Sequence, residues 1–188
     1  MNTVGAVFID RDGTLVEERS YLADPEQVAL LPGVVRALES IRDVGLPVVV
    51  VTNQSGIARG LYTLGDYHAV AARLHEMLEA AGVAPALVEF CPHHPDFSGP
   101  CDCRKPGTGM YRRAAEKLNI DLQRSFYVGD KPSDVAATET LGGRGILVRT
   151  GYGRESEQGV GASIQVVEDL EGAADLILAS VDPSGAPE

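Results

Sequence analysis

The chain has 188 residues, of which 44% are apolar, and 27 acidic residues against 16 basic ones give a formal net charge of −11. This length and apolar content predict one domain with a buried core and exclude a largely disordered chain. The negative charge argues against nucleic acid or an anionic membrane surface as a partner.

The sequence carries no sign of a membrane or export segment. It has no run of roughly 18 or more apolar residues, and the N-terminal stretch lacks the basic start of a signal peptide. We therefore expect a cytoplasmic protein with no membrane partner, acting as a monomer. Structural disulfides are rare in that compartment.

Five short apolar runs predict buried β-strands, in residues 4–10, 46–52, 86–91, 125–130 and 145–150. Continuous apolar runs without alternation are typical of parallel strands covered on both faces. Helical spacing of apolar residues predicts five helices, at about residues 34–44, 63–81, 110–118, 132–141 and 169–180. Strands and helices alternate, which predicts a single doubly wound α/β domain over residues 1–188.

Two long irregular inserts interrupt this alternation, in residues 11–31 and 91–108. Long loops in compact domains are often functional. The C-terminal tail, residues 182–188, is expected to be disordered.

Polar residues stand at the ends of four predicted strands: Asp10 and Asp12, Thr52 and Asn53, Cys91, and Asp130. In an open parallel sheet the ligand crevice lies beyond the carboxyl ends of the strands. We therefore expect these groups to converge at one edge of the sheet.

The motif DRDGT (residues 10–14) places two carboxylates two positions apart. An EF-hand loop is excluded, because Tyr21 stands where the bidentate Glu would be required. A plain surface turn is one interpretation. In the other, one carboxylate attacks phosphorus, while the second protonates the leaving oxygen and then activates water.

The motif GDKPSD (residues 129–134) adds further carboxylates. Asp10, a backbone carbonyl near Asp12, and Asp130 would suit Mg²⁺, with Asp134 in a supporting position. The alternative is an acidic cap on the helix that begins near Pro132. Thr52, the amides of residues 53–54 and Lys105 could bind a phosphoryl group, although a lone lysine is usually a surface residue.

All three cysteines lie in CPHHPDFSGPCDCRKP (residues 91–106). Cys91, Cys101 and Cys103 with one histidine, His93 or His94, make a closed tetrahedral zinc set, which is structural rather than catalytic. A disulfide would leave one cysteine unpaired, and a nucleophilic thiol is not needed if a carboxylate attacks.

The order DRDGT, strand-end Thr, Lys and GDKPSD resembles the four signature motifs of the haloacid dehalogenase (HAD) superfamily of phosphatases. VVVTNQSGIARG (residues 49–60) together with the cysteine loop is similar to the heptose 1,7-bisphosphate 7-phosphatase branch, whose close relatives are histidinol-phosphate phosphatases. Many members of the superfamily have a cap domain, and this chain has no room for a separate one.

The resemblance implies roles for individual residues. Asp10 would be the nucleophile and a Mg²⁺ ligand, Asp12 the acid/base and a ligand through its carbonyl, and Asp130 the remaining ligand. Thr52 and Lys105 would hold the phosphoryl group, and His93 would complete the zinc set. The implied substrate contacts are Glu18, Arg19, Ser20, Tyr21, Thr52, Asn53, Gln54, Ser55, Arg104, Lys105 and Lys131.

The implied activity is Mg²⁺-dependent hydrolysis of the 7-phosphate of a heptose bisphosphate through an aspartyl-phosphate, with a small phosphorylated sugar as the substrate. Histidinol-phosphate hydrolysis is the alternative within enzymes. A zinc-stabilised binding or redox module is the alternative outside them.

Overall fold

The computed structural model describes residues 4–181 and places six parallel strands in one sheet, in the order β3-β2-β1-β4-β5-β6. The strands are β1 (Val7–Ile9), β2 (Val48–Asn53), β3 (Leu87–Cys91), β4 (Phe126–Gly129), β5 (Arg144–Val148) and β6 (Gln165–Val167). This order is that of doubly wound sheets that bind ligands where the direction of winding reverses, here between β1 and β4. The predicted fold class is confirmed.

Helices cover both faces of the sheet. They are α1 (Val34–Asp43), α2 (Leu64–Ala80), α3 (Pro95–Ser98), α4 (Gly109–Leu118), α5 (Pro132–Val135), α6 (Thr138–Leu141), α7 (Gly153–Ser156) and α8 (Leu170–Leu178). Three short 3-10 segments lie at Pro25–Gln27, Leu122–Arg124 and Glu157–Gly159. None of the helices in residues 4–181 is both long enough and apolar enough to span a membrane.

The strand side chains alternate between two cores. Val7 and Ile9 of β1 belong to the core formed with α1, α2 and α8, whereas Phe8 belongs to the core formed with α4. Successive side chains of a strand point to opposite faces, so burial on both faces requires continuous apolar strands. This explains why apolar runs predicted the strands.

Two elements differ from the sequence-based prediction. β6 was missed because it has only three residues, lies at the sheet edge and is at most half-buried. The fourth predicted helix, residues 132–141, is two short helices, α5 and α6. Between them the hydroxyl of Thr138 donates to the carbonyl of Val135 at 2.8 Å, and such local bonds compete with a continuous helix.

The two long inserts, residues 11–31 and 91–108, lie at the carboxyl edge of the sheet. Both are mostly irregular, and neither holds a separate cap domain within the described part of the chain. The predicted disorder of residues 182–188 falls outside the described residues. Access to the sheet edge is therefore shaped by loops.

Candidate active site

A cleft of about 510 Å³ opens at the carboxyl ends of β1, β2 and β4. Its volume is that of a small-molecule site. It is lined by Asp10, Arg11, Asp12, Glu18, Ser20, Tyr21, Leu22, Thr52, Asn53, Gln54, Ser55, Tyr62, Arg104, Lys105, Lys131, Ser133, Asp134 and Tyr152.

The cleft brings together nearly all the side chains that the sequence motifs pointed to. Asp130 is not on its surface because that side chain is fully buried beneath it. Arg19 is also absent from the lining, and it forms an exposed ion pair with Glu17 at 2.6 Å. The position of the Arg19 side chain therefore does not support the substrate contact expected of it.

Several lining residues had no assigned role at the sequence level. Arg11 had an available signal, because it stands between the two aspartates of DRDGT. Ser133 had the same kind of signal, because it lies inside GDKPSD. Tyr62 and Tyr152 carry no comparable signal, since only the folded loops bring them to the cleft.

Lys105 is the cation at the base of the cleft. It is 4% exposed, and its Nζ lies 2.6 Å from Asp10 Oδ1 and 2.6 Å from the carbonyl oxygen of Val51. The same Nζ lies 2.8 Å from Asp134 Oδ1. Burial alone would lower the pKa of Lys105, but the two carboxylates outweigh that effect and raise it, so the ammonium stays charged.

Three carboxyl groups, Asp10, Asp130 and Asp134, form a carboxylate cluster beside this lysine. Burial raises the pKa of Asp10 to about 7, against the opposing effect of Lys105. Burial likewise raises the pKa of Asp130 to about 6, against the opposing effect of Lys131. Both groups therefore gain from an additional cation that would stabilise their ionised forms.

The carboxylate cluster fits a divalent cation. One oxygen from each of its three members lies within 4.8 Å of the others. Asp130 Oδ1 is buried and has no hydrogen-bond partner within residues 4–181, with Lys131 Nζ 3.8 Å away, while Oδ2 accepts from the backbone N–H of Tyr152 at 2.8 Å. A Cβ at Gly13, where φ is +82°, would collide with the Asp130 carboxylate. Hard oxygen ligands of this kind suit Mg²⁺.

Asp134 has more contacts than the supporting position expected for it. Besides pairing with Lys105, its Oδ2 accepts from the backbone N–H of Lys131 at 2.9 Å. Asp134 thus caps α5 and also belongs to the carboxylate cluster, so its position is compatible with both interpretations of GDKPSD, a helix cap and part of a metal site.

Residues 18–21 form a flap over the cleft that is tied to the opposite wall. Glu18 accepts from Lys131 Nζ at 3.3 Å and from the backbone N–H of Ser20 at 2.9 Å. Lys131 Nζ in turn lies 4.6 Å from the centre of the Tyr152 ring, which is a cation–π contact. Ser20 and Tyr21 have φ values of +34° and +73°, a conformation unusual for residues other than glycine.

Cys91, His93, Cys101 and Cys103 form a compact thiol cluster next to the cleft. Cys91 Sγ lies 3.0 Å from Cys103 Sγ and 3.7 Å from Cys101 Sγ, and His93 Nδ1 lies 3.3 Å from Cys103 Sγ. Ligand atoms around a tetrahedral zinc ion are separated by roughly 3.5 to 3.8 Å. The cysteines are free thiols, and burial raises the pKa of Cys91 and Cys103, so a metal would have to displace their protons.

His94 lies outside the thiol cluster. Its Nε2 is 2.8 Å from Arg59 Nη2, and its Nδ1 accepts from the backbone N–H of Asp96 at 3.3 Å, where it caps α3. Of the two histidines considered from the sequence, His93 is therefore the one whose ring reaches the thiols.

Comparison with known proteins gives the class of this chain. The HAD-hydrolase-like family model matches residues 102–173. This match covers less than half of the chain, and together with the parallel sheet and the aspartate–lysine cleft it indicates a hydrolase of the HAD type.

The curated relatives have a more specific name than the family model. A D-glycero-β-D-manno-heptose-1,7-bisphosphate 7-phosphatase of Yersinia pestis is 37% identical over 95% of this chain and 92% of its own length. An enzyme of the same name from Haemophilus ducreyi is 42% identical over 78% of this chain and 84% of its own length. The chain belongs to the heptose 1,7-bisphosphate 7-phosphatase family of HAD-like hydrolases.

A solved structure agrees with this assignment. The D,D-heptose 1,7-bisphosphate phosphatase from B. bronchiseptica, complexed with magnesium and phosphate, superimposes with a TM-score of 0.86 at 34% identity. The alignment covers 94% of this chain and 99% of that one. The similarity therefore extends over the whole domain rather than over the motifs alone.

Proposed function

We propose that this chain hydrolyses the 7-phosphate of D-glycero-β-D-manno-heptose 1,7-bisphosphate, with Mg²⁺ as the catalytic metal. The observation that carries the proposal is the buried pairing of Asp10 with Lys105 at the base of the cleft, 2.6 Å apart, in a chain whose relatives bear this name. The β anomer is proposed because the curated relatives named above are enzymes of the β series.

Asp10 acts as the nucleophile. One of its carboxylate oxygens bonds to phosphorus while the bond from phosphorus to the sugar oxygen breaks, which leaves an aspartyl-phosphate. Asp12 gives a proton to the departing sugar oxygen and later takes one from the water that attacks the aspartyl-phosphate. Inorganic phosphate then leaves, and Asp10 is regenerated.

The surrounding groups bind and neutralise the transferring phosphoryl group. Lys105 and Thr52 hold its oxygens. The backbone N–H of Gln54, expected from the sequence to share this role, instead donates to the carbonyl of Cys91 at 2.7 Å. Mg²⁺ would be held by Asp10, Asp130 and the carbonyl of Asp12, and it would neutralise charge on the phosphoryl oxygens. The support for this site is Asp130 Oδ1, which is buried near Asp10 and accepts no hydrogen bond from the described part of the chain.

The remainder of the substrate contacts the cleft wall. The proposed contacts are Glu18, Ser20, Tyr21, Asn53, Gln54, Ser55, Arg104 and Lys131, all of which line the cleft. Arg104 and Lys131 are the cations proposed for the second phosphate, because Lys105, at the base of the cleft beside Asp10, is assigned to the transferring phosphoryl group.

Zn²⁺ is proposed as a structural ion held by Cys91, His93, Cys101 and Cys103. The loop it would hold leads directly into the cleft, since Arg104 follows Cys103 and donates from Nη1 to the carbonyl of His93 at 3.3 Å. Free thiols in this arrangement suit a reducing, cytoplasmic compartment. A monomer is proposed because one chain supplies all of the groups named above.

The test is release of phosphate from three substrates, with and without Mg²⁺: the β and α anomers of the heptose bisphosphate, and histidinol phosphate. ³¹P NMR identifies which sugar phosphate is lost. We expect Mg²⁺-dependent loss of the 7-phosphate with the β anomer preferred, and no turnover by Asp10→Asn. Faster hydrolysis of histidinol phosphate would contradict the substrate, and inactivity on all three would contradict the reaction class.

A further inference from the structure

We propose that Arg11 is a positioning residue that holds Asp12 in the orientation from which it protonates the leaving oxygen. The inference rests on the proposed function, because it assumes that Asp12 is the acid/base. It concerns a residue that lies inside the DRDGT motif and has no role in the chemistry described above.

The guanidinium of Arg11 contacts both oxygens of the Asp12 carboxylate. Arg11 Nε lies 3.1 Å from Oδ1 and 3.1 Å from Oδ2, and Nη2 lies 2.9 Å from Oδ1. Adjacent residues rarely face one another in this way, because their side chains leave a strand in opposite directions. The turn that follows β1 is what allows it.

The turn itself is fixed through the main chain of Arg11. Its carbonyl oxygen accepts from the backbone N–H groups of Leu15 and Val16 at 2.9 and 3.0 Å. Arg11 is 3% exposed, and its guanidinium carbon lies 5.8 Å from the centre of the Tyr67 ring. Neither the backbone nor the side chain of Arg11 is therefore free to move away from Asp12.

Gln54 connects the same two side chains from the neighbouring strand. Its Nε2 donates to Asp12 Oδ2 at 2.9 Å, and its Oε1 accepts from Arg11 Nη2 at 3.0 Å. The hydroxyl of Tyr62 donates to the same Oε1 at 2.6 Å. Two donors on Oε1 leave a single consistent orientation for the amide, with its NH₂ group toward Asp12. Asp12 is thus held by Arg11 and Gln54, which are also hydrogen-bonded to each other.

The hydrogen bonds of the buried Arg11 guanidinium are directed toward Asp12 and Gln54. Burying a guanidinium is costly unless all of its donors are paired. Arg11 Nη1 is buried and has no hydrogen-bond partner among the described residues. The donors of Arg11 that are paired, Nε and Nη2, are those that face Asp12 and Gln54.

The consequence is a dependence on the leaving group. An alkoxide leaves slowly unless a proton reaches it, whereas dinitrophenolate leaves without one. If Arg11 acts through Asp12, its loss slows cleavage of a sugar phosphate and spares cleavage of an activated aryl phosphate. A general loss of structure in the cleft would slow both reactions alike.

The experiment uses Arg11→Met and Arg11→Lys in the full-length protein with its metals. Single-turnover release of the sugar from heptose bisphosphate and of dinitrophenolate from 2,4-dinitrophenyl phosphate reports phosphoryl transfer to Asp10 alone. We expect Arg11→Met to slow the first release about 10²-fold and the second less than about 3-fold. Equal loss on the two esters would overturn the proposal.

Asp12→Asn is the reference variant, and it should show the same selectivity. In the Asp12→Asn background, Arg11→Met should slow sugar release no further, because a residue acting through another loses its effect when that residue is absent. An additive loss in the double variant would contradict the proposal.

Arg11→Lys and one further variant, Tyr62→Phe, keep the test decisive should Arg11→Met fail to fold. Arg11→Lys keeps the charge but lacks the planar fork, so we expect it to show the leaving-group selectivity as well. Tyr62→Phe removes a hydroxyl that reaches Asp12 only through Gln54, and it should show a weaker selectivity in the same direction. If each variant loses the same fraction of its rate on the sugar phosphate as on dinitrophenyl phosphate, the proposal is wrong.

The design separates this inference from the proposed function. If the wild-type protein cleaves another primary alkyl phosphate in place of heptose bisphosphate, the substrate assignment fails and the Arg11 comparison is made on that ester. If it cleaves dinitrophenyl phosphate and no alkyl phosphate, no proton donor is operating, and the role given to Arg11 is wrong.

Discussion

The side chain of Asn53 and the main chain of Lys105 are joined by two reciprocal hydrogen bonds. Asn53 Oδ1 accepts from the backbone N–H of Lys105 at 3.0 Å, and Asn53 Nδ2 donates to the backbone carbonyl of Lys105 at 3.2 Å. Asn53 is the last residue of β2, so the strand directly fixes the main chain of a residue from the cysteine-containing loop. Lys105 can then extend its ammonium group toward Asp10 from a defined starting point.

We expect Asn53→Ala to lower kcat about 10- to 100-fold, because a small displacement of Lys105 spoils its approach to the phosphoryl group. The free energy of unfolding should fall by about 1 to 3 kcal/mol through the loss of two hydrogen bonds. Steady-state kinetics and urea unfolding measure the two effects.

Asp169→Ala is the matched control for Asn53→Ala. It removes the side-chain cap of α8, a helix that contributes no residue to the cleft lining, at a cost of about 1 kcal/mol. Its kcat should stay at the wild-type value. If Asn53→Ala has no larger effect on kcat than this control, the positioning role of Asn53 is wrong.

Lys105→Met should be strongly impaired in both activity and stability. Removing the ammonium takes away charge neutralisation, for which we expect a loss of about 10²- to 10³-fold in kcat. It also leaves Asp10 and Asp134 buried without their cation, which should cost about 3 to 5 kcal/mol at about pH 8.

The stability cost of Lys105→Met should depend on pH. The pKa of Asp10 is about 7 even with the lysine present, and loss of the lysine raises it further. Acidification therefore protonates Asp10 and relieves its part of the penalty, so the difference in unfolding free energy between wild type and variant should shrink toward about pH 5. Urea unfolding at the two pH values tests this, and a difference that grows on acidification would refute it.

The sequence was sufficient to predict which polar groups meet at the edge of the sheet, because strand ends are constrained. Asp10 and Asp130 follow buried apolar runs, and parallel strands bring their carboxyl ends to one edge. Lys105 was predicted from its place after the cysteine loop, and the cleft confirms its proximity to Asp10. These positions depend on short-range patterns and one general property of parallel sheets.

Other features depend on contacts that no local pattern encodes. Asn53 was expected to offer its backbone amide to the substrate, and its side-chain bonds to Lys105 span 52 positions of the chain. Arg19 was expected at the cleft, but the direction of a side chain in an irregular loop follows from neighbours such as Glu17. The contact between Lys131 and Tyr152 likewise exists only once separate loops have been packed together.

The stabilising effect of Mg²⁺ should increase with pH. The folded-state pKa values of Asp10 and Asp130, about 7 and about 6, lie above the ordinary value of 3.8. Without metal these two groups therefore reduce stability as pH rises from about 4 to about 7, because the unfolded chain releases their protons first. Mg²⁺ binds the ionised carboxylates and removes that penalty.

We expect saturating Mg²⁺ to raise Tm by several degrees at about pH 8 and by much less at about pH 5. The protein should be freed of Mg²⁺ by dialysis rather than with a strong chelator, which would also remove zinc. Asp130→Asn should abolish the Mg²⁺-dependent shift at both pH values. A shift of the same size at both pH values in the wild type would contradict the proposed ligands.

Zinc should be lost from His93→Ala and retained by His94→Ala. Only His93 brings a ring nitrogen within 3.3 Å of Cys103 Sγ, whereas the ring of His94 contacts Arg59 and caps α3. A structural zinc contributes directly to folding, so its loss should lower Tm by more than about 10 °C and displace the chain that carries Arg104 and Lys105. We expect kcat to fall as well, without rescue by added Mg²⁺.

The two alanine variants form a matched pair, because they are adjacent histidines in the same loop. Metal analysis of protein purified without chelator should find one zinc per chain in the wild type and in His94→Ala, and substantially less in His93→Ala. If wild-type protein contains no zinc, the thiol cluster is not a zinc site. If His94→Ala loses the metal while His93→Ala retains it, the ligand set is wrong, because the contact of His93 with the thiols would then have no role in holding the ion.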